Sequence, residues 1–118
     1  MKIRDSIRIP LQVTVASGGT GLISSDKVLP DQTLVCQSIA YRNETGDRGT
    51  ATLQIRRLGQ AYPLGDQSSP IANLWYYYDT PQYVNEGEVV EVSQASCSQS
   101  DVLDLVIIGY IVYEAEVE

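Results

Sequence analysis

One residue type that carries much of enzyme chemistry is missing from this sequence. It contains no histidine, which is the commonest general base and the usual partner of a nucleophilic serine or cysteine. Most catalytic zinc sites also depend on histidine ligands. The composition therefore argues against most hydrolase mechanisms, and we expect a protein that is not an enzyme and that uses no cofactor.

The two cysteines, Cys36 and Cys97, are separated by a long stretch of chain. Without histidine and without a Cys-x-x-Cys pair they do not supply the four ligands of a structural zinc site, so we predict no metal site. A single disulfide between them is possible. The N-terminal segment lacks the apolar stretch of a signal peptide, which favours synthesis in the cytoplasm and free thiols.

Two pairs of carboxylates are candidates for acid–base or calcium chemistry. Glu86 and Glu88 flank a turn glycine, and Asp101 and Asp104 open the last predicted strand. Glycosidases and calcium sites both use grouped carboxylates. Neither pair follows a calcium-loop pattern, and acids at strand ends are usually solvated charges, so we predict no catalytic residue.

Charge is distributed unevenly along the chain, whose net charge is −7. Residues 1–57 hold all eight basic residues and five acidic ones, whereas residues 58–118 hold ten acidic residues and no basic one. The two halves either form patches that contact partners or mingle in the fold and cancel. An acidic chain binds nucleic acid poorly, and no apolar run approaches the roughly 18 residues that cross a bilayer. We expect a soluble protein with neither partner.

The elements that must position these residues are β-strands. Apolar and polar residues alternate with a period of two and are interrupted by Gly, Pro, Asn and Asp about every ten residues, a rhythm typical of sandwiches and barrels. The 118 residues suffice for one domain. We therefore predict an all-β fold, an antiparallel β-sandwich of jelly-roll type over residues 11–118, preceded by an extended N-terminal arm over residues 1–10.

Several strands and turns are predicted within that domain. The predicted strands cover residues 11–15, 33–42, 50–56, 71–78, 82–84, 88–94 and 102–114, and the predicted turns and loops include residues 17–21, 65–70 and 85–87. In the last strand Leu103, Leu105 and Ile107 lie on one face, and apolar residues also occupy the other. That strand must be covered on both faces, and Gly109 within it indicates a bulge or a close backbone approach.

The aromatic residues are eight tyrosines and one tryptophan, with no phenylalanine. A run of them at positions 75–78 places rings on both faces of a strand, and a thin sandwich can bury only one of these faces. The other face is then a contact with another subunit or a platform on which a sugar stacks. Together with the N-terminal arm and the last strand, the run gives the predicted interface residues: Ile3, Arg4, Ile7, Arg8, Ile9, Trp75, Tyr76, Tyr77, Tyr78, Tyr83, Ile108, Tyr110 and Val112.

Four segments carry a resemblance to a known family. They are Tyr62-Pro63-Leu64, Ile71-Ala-Asn-Leu-Trp75-Tyr76, Asn85-Glu-Gly87-Glu88 and Asp101-Val-Leu-Asp-Leu-Val-Ile-Ile-Gly109-Tyr110. Over residues 33–114 the order resembles the small β-sandwich decoration, or cement, proteins of tailed bacteriophage heads. The resemblance implies a virion structural protein on the capsid surface, assembled in the host cytoplasm and often trimeric. It further implies binding to the major capsid protein and to copies of itself, with the N-terminal arm reaching across a neighbouring subunit.

The sequence leaves an alternative function open. Trp75 and its tyrosine neighbours also fit a carbohydrate- or receptor-binding β-sandwich module of a phage tail or fibre. A small enzyme that uses the carboxylates is a weaker third possibility. Strand order, oligomer number and the identity of the bound surface are not determined by the sequence.

Overall fold

A computed structural model describes residues 2–114 of the chain, which form nine strands and no helix. Within this range no helix is therefore long and apolar enough to cross a membrane. The strands are β1 (Lys2–Thr14), β2 (Gly19–Ser24), β3 (Gln32–Asn43), β4 (Thr50–Arg57), β5 (Gln60–Ser68), β6 (Tyr76–Tyr78), β7 (Gln82–Val84), β8 (Val89–Cys97) and β9 (Val102–Glu114).

The strands form two antiparallel sheets packed as a sandwich. The first sheet has the order β1-β9-β3-β6, with β7 also paired to β3, and the second sheet has the order β2-β8-β4-β5. Strands β6 and β7 pair with successive parts of β3 and so occupy one strand position. With β6 and β7 counted as one strand, each sheet has four positions, as in a jelly roll. The predicted fold class is confirmed.

The predicted N-terminal arm belongs to the first sheet in this structure. Residues 2–10 are extended, but the strand continues past the predicted boundary at Pro10 to Thr14. It pairs with β9 over its whole length, from Lys2 opposite Glu114 to Thr14 opposite Val102. These two strands make the molecule elongated, with extents of 53 × 25 × 21 Å. Met1 of the predicted arm and residues 115–118 of the predicted sandwich lie outside the described residues.

The hydrophobic core lies between the two sheets. Ile39, Leu105 and Ile107 of the first sheet are fully buried there, as are Ile23 and Leu53 of the second. Successive side chains of a strand point to opposite faces, so the alternation in the sequence supplies the inner face of each sheet. Of the two apolar faces predicted for β9, the inner one is covered within this chain.

Gly109 lies where two strands approach closely. A Cβ atom at this position would collide with the carbonyl oxygen of Val35 on β3. The register between β3 and β9 also shifts between Cys36 and Ser38, as it does at a β-bulge. The prediction of a bulge or close approach at Gly109 is confirmed.

Two predicted loops are partly strand in the structure. Strand β2 begins at Gly19, inside the glycine-rich segment predicted as a turn, and Gly21 packs so tightly that a Cβ there would lie 2.9 Å from the sulfur of Cys97. Strand β5 runs through the predicted loop as far as Ser68 and contains Pro63. Proline is tolerated because β5 is an edge strand.

The basic and acidic halves of the chain mingle, as one of the two sequence interpretations proposed. Strand pairing brings residues from the basic half beside residues from the acidic half, and four ion pairs join them: Arg42 with Asp104, Arg48 with Asp101, Arg56 with Glu91, and Arg57 with Glu88. The carboxylate of each pair is buried. Much of the charge asymmetry in the sequence is therefore neutralised by ion pairs within the fold.

Candidate functional site

The outer face of the first sheet is the side that points away from the second sheet. Its members follow from the strand register, because directly paired residues point to the same side. They are Arg4, Ser6, Arg8 and Pro10 of β1, Val106, Ile108, Tyr110 and Val112 of β9, Val35, Ser38 and Ala40 of β3, and Tyr77 and Tyr83 of β6 and β7. Asp79 joins them because its carboxylate accepts a hydrogen bond from Ser38.

The outer face exposes large apolar and aromatic side chains. Tyr77 is 66% exposed, Tyr83 is 65% exposed and Ile108 is 44% exposed. Val35 and Ala40 lie beside them and are buried. In a single chain this face of the sheet therefore leaves apolar area in contact with water. Exposed apolar patches often mark interaction surfaces.

The structure divides the predicted aromatic cluster between the two sides of the sheet. Tyr76 and Tyr78 point inward and pack against the core. The ring of Tyr76 stacks on Tyr41 with centroids 6.0 Å apart, and its hydroxyl accepts a hydrogen bond from the Ile71 N–H at 2.8 Å. These two predicted interface tyrosines are therefore structural, whereas Tyr77 and Tyr83 remain available to a partner.

Trp75 lies in a shallow groove at one end of the outer face. The guanidinium of Arg42 lies 4.4 Å from the centroid of its ring. Arg42 Nε donates to Asp104 Oδ2 at 2.7 Å, and Gln12 Nε2 donates to Asp104 Oδ1 at 3.0 Å. Burial alone would raise the pKa of Asp104, but the hydrogen bonds from Arg42 and Gln12 outweigh it and lower that pKa. The groove, of about 320 Å³, also includes Pro10.

Charges lie on opposite edges of the outer face. Arg4 and Arg8 belong to β1, the edge strand of the sheet, and the guanidinium of Arg4 lies 4.2 Å from the centroid of the Tyr110 ring. On the other edge the carboxylate of Asp79 accepts a hydrogen bond from Ser38 Oγ at 2.6 Å. The face therefore has a basic edge, an apolar centre and an acidic edge.

The predicted interface isoleucines of β1 lie on the inner side of the same sheet. Ile3, Ile7 and Ile9 are half-buried there. Near them, at the open end of the sandwich, is a cavity of about 260 Å³, here called the end pocket. Its apolar lining consists of Ile9, Leu11, Val28, Leu29, Leu34 and Ile111. Leu29 is 61% exposed at this site. The predicted interface residues thus form two surfaces on opposite sides of one sheet.

Three of the four carboxylates considered for catalysis, Glu88, Asp101 and Asp104, are held in separate ion pairs. The fourth, Glu86, is exposed on its turn. Asp101 is 1% exposed and accepts from Arg48 Nε at 2.7 Å, from Arg48 Nη2 at 3.0 Å and from the Ser98 N–H at 3.0 Å. The hydrogen bonds from Arg48 lower the pKa of Asp101 to about 2. Burial opposes a low pKa for Glu88, but hydrogen bonds from Arg57 and from the Asn85 N–H lower it. These carboxylates are engaged in stabilising the loops between strands.

Both cysteines are free thiols in this structure, and both are buried. Burial raises the pKa of Cys36 to about 12, so its reactive thiolate form is suppressed. Among residues 2–114 no group of three or more Cys, Asp or Glu side chains is arranged to hold a metal ion.

No family model and no curated protein matches the chain. The chain is similar to several solved structures. An arabinose-bound α-L-arabinofuranosidase is similar at 13% identity and a TM-score of 0.46, over 88% of this chain and 19% of the enzyme. The nucleoplasmin-like N-terminal domain of Drosophila FKBP39 is similar at 7% identity and a TM-score of 0.43, over 96% and 94% of the two chains. A structure described as CBM4 is similar at 8% identity and a TM-score of 0.35, over 98% and 94%. Likeness at this level indicates neither a substrate nor a partner.

Sequence reasoning missed the polar residues around the aromatic surface. The sequence gives no signal that Asp79 lies on this face, and it does not predict the grouping of Gln12, Arg42 and Asp104. Their common position depends on the pairing of β9 with both β1 and β3. Alternation of side chains along β1 and β9 is compatible with Gln12 and Asp104 both pointing outward. Only the pairing register shows that the two residues lie side by side.

Proposed function

We propose that this chain is a non-catalytic virion structural protein, a decoration or cement protein that stabilises a capsid by binding the major capsid protein and copies of itself. The observation that carries the proposal is the outer face of the first sheet. Tyr77, Tyr83 and Ile108 are exposed there on an antiparallel sheet. Aromatic residues are enriched in protein interfaces.

The position of the second surface supports the same proposal. The end pocket lies on the inner side of the sheet that carries the outer face, so one chain presents two apolar surfaces to two different neighbours. A protein that clamps a lattice needs at least two such contacts, which symmetry then repeats over the particle. The resemblance to phage decoration proteins supports a capsid as the lattice, with β1 at the contact.

The test is binding to capsids and its dependence on the two surfaces. The protein is expected to sediment with capsids that lack decoration and to raise their melting temperature. Leu29→Asp at the end pocket and Tyr77→Asp on the outer face are expected to weaken this binding at least about tenfold, because each places a charge in a desolvated contact. Leu58→Asp is the control, since Leu58 is 99% exposed in the turn between β4 and β5. Equal binding by all three variants would refute the proposal.

A second candidate function is carbohydrate binding in the Trp75 groove. Sugars stack on aromatic rings and bond to fixed polar groups, and the groove combines Trp75 with Gln12, Arg42 and Asp104. Against this, the guanidinium of Arg42 already lies over the ring of Trp75.

Tryptophan fluorescence separates the two functions, because Trp75 is the single tryptophan of the chain. A sugar-binding module would show saturable fluorescence changes on titration with soluble glycans, and Gln12→Ala would weaken them. The capsid proposal predicts no saturable change with glycans.

A further inference from the structure

We infer that the outer face of the first sheet binds the outer face of a second copy of this chain, around a two-fold axis parallel to the strands. The inference deepens the proposed function, because it names the neighbour that covers this face. In this arrangement the end pocket remains available to bind the capsid. The predicted assembly is a dimer, in place of the trimer that the resemblance implies. The evidence is the arrangement of side chains in three successive rows across the sheet.

The rows follow from the strand register. Each runs from β1 through β9 and β3 to the position shared by β6 and β7. The central row is Arg8, Ile108, Ser38 and Asp79; the row on one side is Pro10, Val106, Ala40 and Tyr77; the row on the other side is Ser6, Tyr110, Val35 and Tyr83.

Charge selects one of the two ways in which identical sheet faces pack with aligned strands. A two-fold axis perpendicular to the strands would lay the basic β1 strands of the two copies on each other. An axis parallel to the strands instead lays β1 of one copy on the β6 and β7 position of the other. In that arrangement Arg8 lies opposite the partner's Asp79. Opposite charges attract and like charges oppose association, so the parallel axis is favoured.

Side-chain size is complementary in the same arrangement. The two most exposed tyrosines each lie opposite a small residue, because Tyr77 is placed over the partner's Pro10 and Tyr83 over the partner's Ser6. Ile108 lies opposite the partner's Ser38, at the centre of the contact. Aligned sheets cross at about 30°, which displaces the edges by a few ångströms and leaves the central rows in contact.

Arg8 is available for such a contact. Within residues 2–114 it forms no ion pair, in contrast to Arg42, Arg48, Arg56 and Arg57. Asp79 is bonded only to the hydroxyl of Ser38 in the described structure, which leaves its second carboxylate oxygen for a partner. A guanidinium and a carboxylate paired across the interface would satisfy both groups.

The inference is tested by reversing the charges of Arg8 and Asp79 and measuring the molecular mass of the protein in solution. Light scattering after size exclusion is expected to give the mass of two chains for the unchanged protein. Arg8→Asp and Asp79→Arg, each alone, are expected to raise the dissociation constant at least about tenfold, since each places like charges in contact. The double variant Arg8→Asp/Asp79→Arg is expected to restore it to within a few-fold of the original. Circular dichroism reports whether each variant is folded.

Each possible result decides the inference. A monomer or a trimer of the unchanged protein overturns it, and so does a dimer in which the double variant is no tighter than the single variants. If a single variant fails to fold, crosslinking of an equimolar mixture of the single variants Ser38→Cys and Ile108→Cys decides instead. Ser38 and Ile108 are paired within one chain, so the two cysteines are placed on different chains: a disulfide between the two variants supports the two-fold pair, and its absence overturns it. The proposed function is tested separately, by capsid binding. That measurement can fail whether or not the protein is a dimer, so the two failures can be told apart.

Discussion

The two sides of strand β9 carry similar apolar residues in very different surroundings. On the inner side Leu105 and Ile107 have no exposed surface, because the second sheet covers them. On the outer side Ile108 is 44% exposed, and Val106 and Tyr110 are only half-buried. The difference teaches that a two-layer fold uses only one face of each sheet. The apolar character of the other face has to be explained by something outside the chain.

Gly109→Val is expected to have the largest effect, because it disrupts the strand that carries both faces. Any Cβ at this position collides with the Val35 carbonyl, so the pairing of β3 with β9 has to open. We expect a loss of more than about 4 kcal/mol in the free energy of unfolding, in the range of severe core disruptions. Urea denaturation followed by circular dichroism measures it.

Gly18→Ala is the matched control for this change. A Cβ at Gly18 would meet the Cys97 carbonyl oxygen at an ordinary 3.6 Å, so little loss is expected. If the Gly109 variant were as stable as the Gly18 variant, the close approach of β3 and β9 would be absent from the protein.

Leu105→Ala and Ile108→Ala compare the two sides of β9 directly. The first leaves a cavity in the core and is expected to cost about 3 kcal/mol, as for other buried leucines. The second removes a half-exposed side chain and is expected to cost less than about 1 kcal/mol in the monomer, since less apolar area is lost. Chemical denaturation at low protein concentration measures both, and equal losses would show that Ile108 is buried within a single chain.

Asp101→Asn tests a charge whose partner lies within the chain. The pKa of Asp101 is lowered to about 2, below its ordinary value of 3.8. The ionised carboxylate therefore stabilises the fold above pH 4, and this contribution falls as the pH drops towards 2. We expect the variant to lose about 2 kcal/mol at pH 7, the free energy equivalent of such a shift, and the difference from the unchanged protein to vanish near pH 2.

Glu86→Gln is the control for that pH dependence, because Glu86 is an exposed acid on a turn. Its stability curve is expected to follow that of the unchanged protein between pH 7 and pH 2. A loss for Asp101→Asn that did not change with pH would show that the carboxylate acts through packing and not through its charge.

Much of the fold was predictable because its signals are local. The last strand was predicted at residues 102–114, the bounds that the structure has, since this segment is long and rich in β-branched residues. The turn at 85–87 was also predicted, and Gly87 has a φ of 78° there. Strand β2 was missed because its first three residues are Gly, Thr and Gly, and glycine is typical of turns.

The candidate site was only partly predictable because it depends on register. Period-two alternation separates Tyr77 from Tyr76 and Tyr78, but it does not say which face is the core. That choice follows from the sheet order, which pairs β3 with both β6 and β9. The charges on opposite edges, Arg8 and Asp79, are separated by most of the chain and come into one row only through three strand pairings.

The most direct measurement of the account is the reactivity of a single cysteine placed on the outer face. The native thiols Cys36 and Cys97 are buried, so Ile108→Cys introduces the one readily accessible thiol among the described residues. Its rate of reaction with a thiol reagent is expected to fall as protein concentration rises, while the rate for Leu58→Cys stays constant. A rate at position 108 that is independent of protein concentration would contradict the claim that a neighbouring copy covers the outer face.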